Sequence, residues 1–219
     1  MERLICLAIG YVFGLIQTAY IYGKIHHIDI REHGSGNAGT TNALRTLGKK
    51  AGLIVFLGDL LKVVLATIVV RIIFKDSHPE TLTLFVLYAG FGAVLGHNFP
   101  VYLRFKGGKG IAATAGLIIA LGQWEMILVG LTVFVLSVVI SKYVSVGSLL
   151  MVLTVYITFA VMDYFGLIGG LEPQYIAYEA MVVFFLFVVL AFLRHRTNIV
   201  RLFKGTENKL SFKKKTEDR

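Results

Sequence analysis

"IAATAGLIIAL", residues 111–121, is almost wholly apolar yet spans only eleven positions. A full membrane crossing takes about 20 apolar residues, with about 17–25 the working range. If this stretch crosses, it is a broken helix or a segment buried by its neighbours, because irregular backbone at membrane depth is tolerated only inside protein or along a wet cavity. Upstream, apolar runs cover Leu4–Tyr22, Gly52–Phe74 and Leu82–Tyr102; downstream they cover Met126–Ile140, Ser148–Met162 and Tyr175–Leu193. The first three and the last are long enough to cross unaided. The two between need their flanks or a locally thinned bilayer. A crossing at 111–121 gives seven helices and places the termini on opposite sides; a re-entrant segment gives six.

Lysine and arginine choose between these threadings. Gly23–Ala51 carries five, Arg104–Gly110 three, Ser141–Gly147 one and the chain from Arg194 nine, so seven helices put eighteen of the 22 bases on one side. Asp76, Glu80, Glu125, Asp163 and Glu172 fall on the other. The positive-inside rule then sets the N-terminus outside and the C-terminus in the cytoplasm. Six helices worsen that balance. The expected fold is an all-α polytopic membrane protein with seven transmembrane helices. Residues 1–205 form a single bundle domain with three cytoplasmic motif loops, and 206–219 a basic cytoplasmic tail.

Composition points the same way. With 56% hydrophobic residues among 219 and three prolines, and a mean hydropathy of +0.75, a soluble domain of this size has no interior large enough for its apolar side chains. The net charge of +9 reads as cytoplasmic loops facing anionic headgroups. Basic patches interleaved with aromatics on a polar surface are lacking, which argues against nucleic acid. The first apolar run exceeds a signal-peptide core of about 7–15 residues, and no A-x-A pattern follows, so it reads as a retained helix. Cys6 is the one cysteine, which excludes an intrachain disulfide or a cysteine metal site. No clustered ligand spacing calls for a metal, and no cofactor is expected.

Three polar stretches interrupt this pattern, all on the basic side. The first, "HGSGNAGTTNALR" (His33–Arg45), is backbone suited to approach something small and charged. Gly34, Gly36 and Gly39 remove side chains, so amides can come close to a ligand. Ser35, Asn37, Thr40, Thr41 and Asn42 supply neutral hydrogen-bonding groups, and Arg45 can grip an oxyanion bidentately. Thr40 or Thr41 is placed to cap a short helix ending at Gly48. The second stretch is "GHNFPVYLRFKGGKGIAAT" (Gly96–Thr114), where a glycine turn with Lys106 and Lys109 feeds directly into a helix start, an anion-site arrangement. It lacks the spacing of a nucleotide-binding P-loop. The third, "RHRTNIVRLFKGTE" (Arg194–Glu207), suits a short amphipathic helix capped by Thr197, with His195 and Asn198 sharing a face. Helix packing accounts for glycines inside helices, but not for "GSGNAGTTN" or "KGGKG" between them. Asp59 and Lys62, three apart within one apolar run, are expected to face the bundle and neutralise each other.

In order and length these stretches resemble the three signature motifs of the bacterial acyl-phosphate:glycerol-3-phosphate acyltransferase (PlsY) family, and the resemblance covers essentially the whole chain. It implies transfer of a fatty acyl group from acyl phosphate to the 1-hydroxyl of sn-glycerol 3-phosphate, giving lysophosphatidic acid and phosphate in the bacterial plasma membrane, with the site facing the cytoplasm. Membrane lipids surround such an enzyme, and the soluble enzyme that makes the acyl phosphate is a candidate partner. By motif position, Ser35, Arg45, His195 and Asn198 are implied to grip and orient glycerol 3-phosphate. The backbone of Gly107, Gly108 and Gly110, with Lys106 or Lys109, is implied to hold the acyl phosphate, and Glu207 to brace the third motif. The proton acceptor is either His195 or the substrate phosphate. None of the six histidines is followed by aspartate in the His-x4-Asp spacing of the other main glycerol-phosphate acyltransferase class. The competing readings are a secondary transporter of phosphorylated metabolites, which would place its site near the midplane, and a non-catalytic membrane subunit.

Overall fold

The structure, a computed structural model, describes residues 1–210; the remaining positions of the expected basic tail, 211–219, lie outside the described residues. The chain forms α1 (Glu2–Gly14), α2 (Thr18–Ile25), α3 (Thr40–Leu47), α4 (Lys49–Phe74), α5 (Leu82–Asn98), α6 (Ile111–Leu121), α7 (Trp124–Ser141), α8 (Val144–Tyr164), α9 (Gln174–Arg194) and α10 (Arg196–Phe203), with no strand among the described residues. Six segments are long and apolar enough to cross a membrane: Glu2–Ile25, Lys49–Phe74, Pro79–Leu103, Trp124–Ser141, Val144–Tyr164 and Gln174–Arg194. The flanks of the two short downstream runs extend them into α7 and α8 of 18 and 21 residues.

The first apolar run is not one helix. It breaks at Gln17, whose backbone leaves the helical region (φ −95, ψ 84). The break is held by polar side chains that take up the carbonyls it frees. The buried Gln17 carboxamide is shared among the carbonyls of Gly14, Gly96 and His97 at 3.1, 3.2 and 3.1 Å, and Lys62 Nζ donates to Ile16 O at 2.7 Å.

Two glycine pairs let α1 and α5 touch backbone to backbone. A Cβ at Gly10 would lie 1.9 Å from Ala89 O, and one at Gly92 would lie 2.1 Å from Leu7 O; Gly14 and Gly96 repeat the arrangement one turn on. This is the small-residue packing that membrane helices use where no hydrophobic effect draws them together. Gly116 brings α6 equally close to α4, its missing Cβ 2.4 Å from Leu60 O. The helix α6 starts after Gly110 and stops at Gly122, both left-handed (φ +83 and +74), and Arg71 Nη2 donates to Ala120 O at 3.0 Å near its end. Its buried face joins Leu84, Leu87, Val152, Phe159, Phe184 and Phe187 in the main apolar core.

Candidate functional site

The ends of α5 and α9, the starts of α3, α6 and α8, and α10 surround a cavity of about 900 Å³. All three polar stretches line it. Ser35, Gly36, Asn37, Gly39, Thr40, Thr41, Asn42 and Arg45 come from the first; Lys106, Gly107, Lys109 and Gly110 from the second; His195, Asn198 and Glu207 from the third. Gly34 and Gly108 do not line it. Gly34 (φ +61) packs on the Asn42 carboxamide, and Gly108 lies between the His97 ring and Ala38 O, where first and second stretches meet.

Within the first stretch, Asn42 organises the loop. Its Oδ1 accepts from Ser35 N at 2.8 Å, and its Nδ2 donates to Ile30 O and His33 O, each at 2.9 Å. With both amide hydrogens spent, the Asn42 carboxamide shapes the loop and has no donor left for a ligand, a correction to its expected binding role. Neither Thr40 nor Thr41 caps α3: the N-cap is Gly39, without a side-chain cap. Instead the Thr40 hydroxyl is buried with no partner among the described residues, beside the cavity it lines. Ser35 is exposed at the rim, and Arg45 reaches Asn208 O only at 3.5 Å.

The second stretch corrects another expectation. Gly107 N donates to Asn98 O at 3.2 Å and Gly108 N to His97 O at 3.1 Å, while Arg194 Nη2 clamps their carbonyls at 3.1 and 2.8 Å. Both peptide edges are occupied, so these two amides are not free for an anion. The free donors are those of Gly110 and of the helix start, the remainder of the expected anion site. The amides of Gly110, Ile111 and Ala112 have no backbone acceptor among the described residues, and all three residues line the cavity. These form the positive end of α6. Lys106 is exposed, whereas Lys109 turns inward and donates to Asn198 Oδ1. Burial, partly offset by Glu207, lowers the Lys109 pKa to about 8.

The third stretch folds as a strap. The N-cap of α10 is His195, not Thr197, and carries no side-chain cap. His195 is buried, with Nδ1 2.8 Å from Ala191 O. Since a carbonyl only accepts, Nδ1 carries the proton and Nε2 a lone pair. Burial first, then the Lys109 charge, holds the imidazole down to about 4, so it is neutral at pH 7. Glu207 accepts from Asn198 Nδ2 at 2.6 Å, Arg201 Nε at 2.8 Å and Ser145 Oγ at 3.1 Å. Burial raises its pKa, but these donors outweigh burial and leave it lowered. These partners lie across the expected 205/206 boundary, and Leu210 N also bonds Lys142 O at 2.7 Å, so the chain through residue 210 packs on the end of the bundle that holds the cavity.

Sequence reasoning missed several lining residues. Ser145 falls in the loop before the Ser148–Met162 run and Ser148 at its first position, and Asp29 and Arg31 lie outside the three polar stretches; the latter pair with each other at 2.7 Å, a contact that drives the Asp29 pKa down to about 2. Asp59 and His97 also reach the cavity. A buried Asp59–Lys62 pair at 2.9 Å was expected from spacing, but its link to His97 needed the fold. Phe56, Ile111, Phe134, Val144 and Leu193 give the cavity an apolar wall.

Fold and site define a polytopic helical membrane protein with a cationic, donor-rich cavity that also has apolar lining. The sequence model for glycerol-3-phosphate acyltransferase matches residues 4–205, and the chain belongs to that family. It is 41% identical to the glycerol-3-phosphate acyltransferase of Chlorobaculum tepidum, over 95% of this chain and 97% of the relative. It is also 41% identical to that of Halalkalibacterium halodurans, over 96% and 97%. The crystal structure of PlsY, an integral membrane glycerol 3-phosphate acyltransferase, superimposes in its glycerol 3-phosphate form with a TM-score of 0.79 at 30% identity, covering 96% of each chain. Its lysophosphatidic acid form gives 0.78 at 29%, covering 97% of each.

Proposed function

We propose that this protein transfers a fatty acyl group from acyl phosphate to the 1-hydroxyl of glycerol 3-phosphate, releasing lysophosphatidic acid and phosphate at the cytoplasmic face of the bacterial plasma membrane. The observation that carries this reading is the convergence of the three polar stretches around Lys109, which bonds Asn198 while Ala38 packs on the adjacent Gly108. Two phosphorylated substrates need such a concentration of cations and free amides. The apolar wall suits the chain that one of them carries.

The threading behind this reading has seven legs, with α6 as the fourth and the N-terminus outside. Its support is that α6 begins beside Asn98 at the site end and finishes beside Arg71, near the last turn of α4. The basic loops then share the site's side.

Acyl phosphate is already activated, so the protein's task is placement and charge stabilisation. Arg45, the Ser35 hydroxyl and Asn198 hold glycerol 3-phosphate. Lys109 and the amides of Gly110–Ala112 face the acyl phosphate and the oxyanion that develops as the hydroxyl attacks, a donor type worth about 2.7–4 kcal/mol each. His195 Nε2 accepts the hydroxyl proton. A phosphate dianion beside it offsets the Lys109 charge and raises the imidazole's basicity toward the working pH. The C–O ester bond forms, the carbonyl carbon–oxygen bond to phosphate breaks, and the proton leaves with inorganic phosphate.

Purified protein supplied with labelled glycerol 3-phosphate and either acyl phosphate or acyl-CoA tests the proposal. Labelled lysophosphatidic acid is expected with acyl phosphate. Product with acyl-CoA alone would refute the donor assignment, and uptake into vesicles without new lipid would favour a transporter.

A further inference from the structure

The buried ionic cluster inside the bundle is linked to the turn that faces the donor substrate. Lys62 and Asp59 are 2% and 1% exposed, in the middle of α4. The Lys62 ammonium has three hydrogens and three partners: Ile16 O at 2.7 Å, Asp59 Oδ1 at 2.9 Å and His97 Nδ1 at 2.8 Å. Asp59 Oδ1 also accepts from Thr18 Oγ1 at 3.2 Å. Ion pairs at membrane depth are costly to build, and a plain apolar contact between α4 and α5 would serve packing as well. What the ions supply is direction. An ammonium donating to Nδ1 leaves the proton of a neutral His97 on Nε2 and fixes the ring's rotation.

That ring, with its neighbour, forms the bed on which the glycine turn lies. A Cβ at Gly108 would meet His97 Nε2 at 2.1 Å, and one at Gly110 would meet Asn98 Oδ1 at 2.9 Å. The carbonyls of the same two residues receive the amides of Gly108 and Gly107. Side chains and backbone of His97–Asn98 therefore template residues 107–110 from one side, while Arg194 holds the carbonyls from the other. The direction of the first α6 turn and the location of Lys109 follow from that template. The glycerol 3-phosphate side has its own supports in Asn42 and Glu207, and meets this template only where Lys109 donates to Asn198 and Gly108 packs on Ala38.

We infer that Lys62 and Asp59, acting through His97, are positioning residues for the donor half of the reaction, setting the Lys106–Gly110 turn that receives the acyl phosphate. This rests on the acyltransferase reading above. A tether that merely stabilised the bundle would change the amount of folded protein and leave both Michaelis constants alone, which separates the two roles kinetically.

The test is steady-state kinetics on detergent-purified full-length protein, varying each substrate in turn, with melting temperature and size-exclusion profile recorded for every variant. Lys62→Met and His97→Leu are expected to raise KM for acyl phosphate about tenfold or more while KM for glycerol 3-phosphate stays within about twofold. His97→Asn, which keeps an acceptor near the Nδ1 position for Lys62, is expected to recover part of that loss. If Lys62→Met does not accumulate, Asp59→Asn, which keeps the shape and an acceptor oxygen, is expected to show the same selective rise on a smaller scale. Folded variants with both KM values unchanged, or with only the glycerol 3-phosphate KM raised, would overturn the inference. Wild-type protein inactive with acyl phosphate would refute the functional reading instead, so the two failures are distinguishable.

Discussion

Arg194, the last residue of α9, donates through Nη2 to the carbonyl of Gly108 at 2.8 Å, across 86 positions of sequence. The same nitrogen reaches Gly107 O at 3.1 Å, and the guanidinium lies 5.1 Å from the Phe99 ring centroid. One side chain thereby ties the third polar stretch to the second. Arginine suits this job because Nε and Nη2 both address Gly108 O while Nη2 also reaches Gly107 O and the flat guanidinium lies over Phe99, a rigid geometry that a flexible lysine does not reproduce.

Arg194→Lys should leave at least one of the two carbonyls without its donor. A lost partner of this kind costs about 1–3 kcal/mol, so kcat/KM should fall by about 5–150-fold, with KM for acyl phosphate carrying most of the change. Initial-rate measurements over both substrates check this. An unchanged kcat/KM would mean that the glycine turn holds its shape without the clamp.

Ser35 and Asn42 should separate into different kinds of defect, although both sit in one loop. Ser35→Ala removes an exposed hydroxyl and should lower turnover strongly with little effect on melting temperature. Asn42→Ala abandons Ser35 N and two carbonyls, three hydrogen bonds of 2.8–2.9 Å. It should cost about 1–3 kcal/mol of stability as well as activity. Thermal melts beside rate measurements distinguish them, and equal melts for the two variants would contradict the assignment.

What was legible in the sequence followed from composition. The apolar runs marked the long helices, and the three glycine- and hydroxyl-rich stretches stood out because polar backbone beside a membrane needs a reason to exist. The details that were not legible depend on atoms brought in from elsewhere in the chain. The break at Gln17 has no proline to announce it; it exists because Lys62 and Gln17 side chains satisfy carbonyls around it. Free amides were expected along Gly107, Gly108 and Gly110 and at the helix start that follows; the structure leaves only those from Gly110 onward free, because His97 and Asn98 carbonyls claim the earlier pair. Helix starts at Gly39 and His195 displaced threonine caps for a similar reason: the loops are pinned by tertiary contacts, so local capping is dispensable.

The short α6 should tolerate bulk poorly on one face only. A Cβ at Gly116 would lie 2.4 Å from Leu60 O, a backbone atom that cannot swing aside. Gly116→Val should therefore force α6 from α4 and cost about 1–3 kcal/mol or more. Ile119→Val, on the exposed face of the same helix, should be close to neutral. Denaturation midpoints in one detergent measure both; comparable destabilisation would show that α6 does not rest on α4 as described.

His195 should make stability depend on pH in a predictable direction. Its proton affinity is lower in the folded protein, about 4 against an ordinary value of 6.5, because burial and then Lys109 disfavour the imidazolium. Between those values the unfolded chain binds more protons, so falling pH favours unfolding. The contribution is fully present above about pH 6.5 and is lost progressively toward pH 4, at most about 3 kcal/mol for this group. His195→Asn keeps a donor for Ala191 O but does not titrate. Melting temperatures recorded from pH 7.5 to pH 4.5 should therefore fall more steeply for the wild type than for the variant, and parallel curves would show that His195 takes up its proton as readily in the bundle as in water.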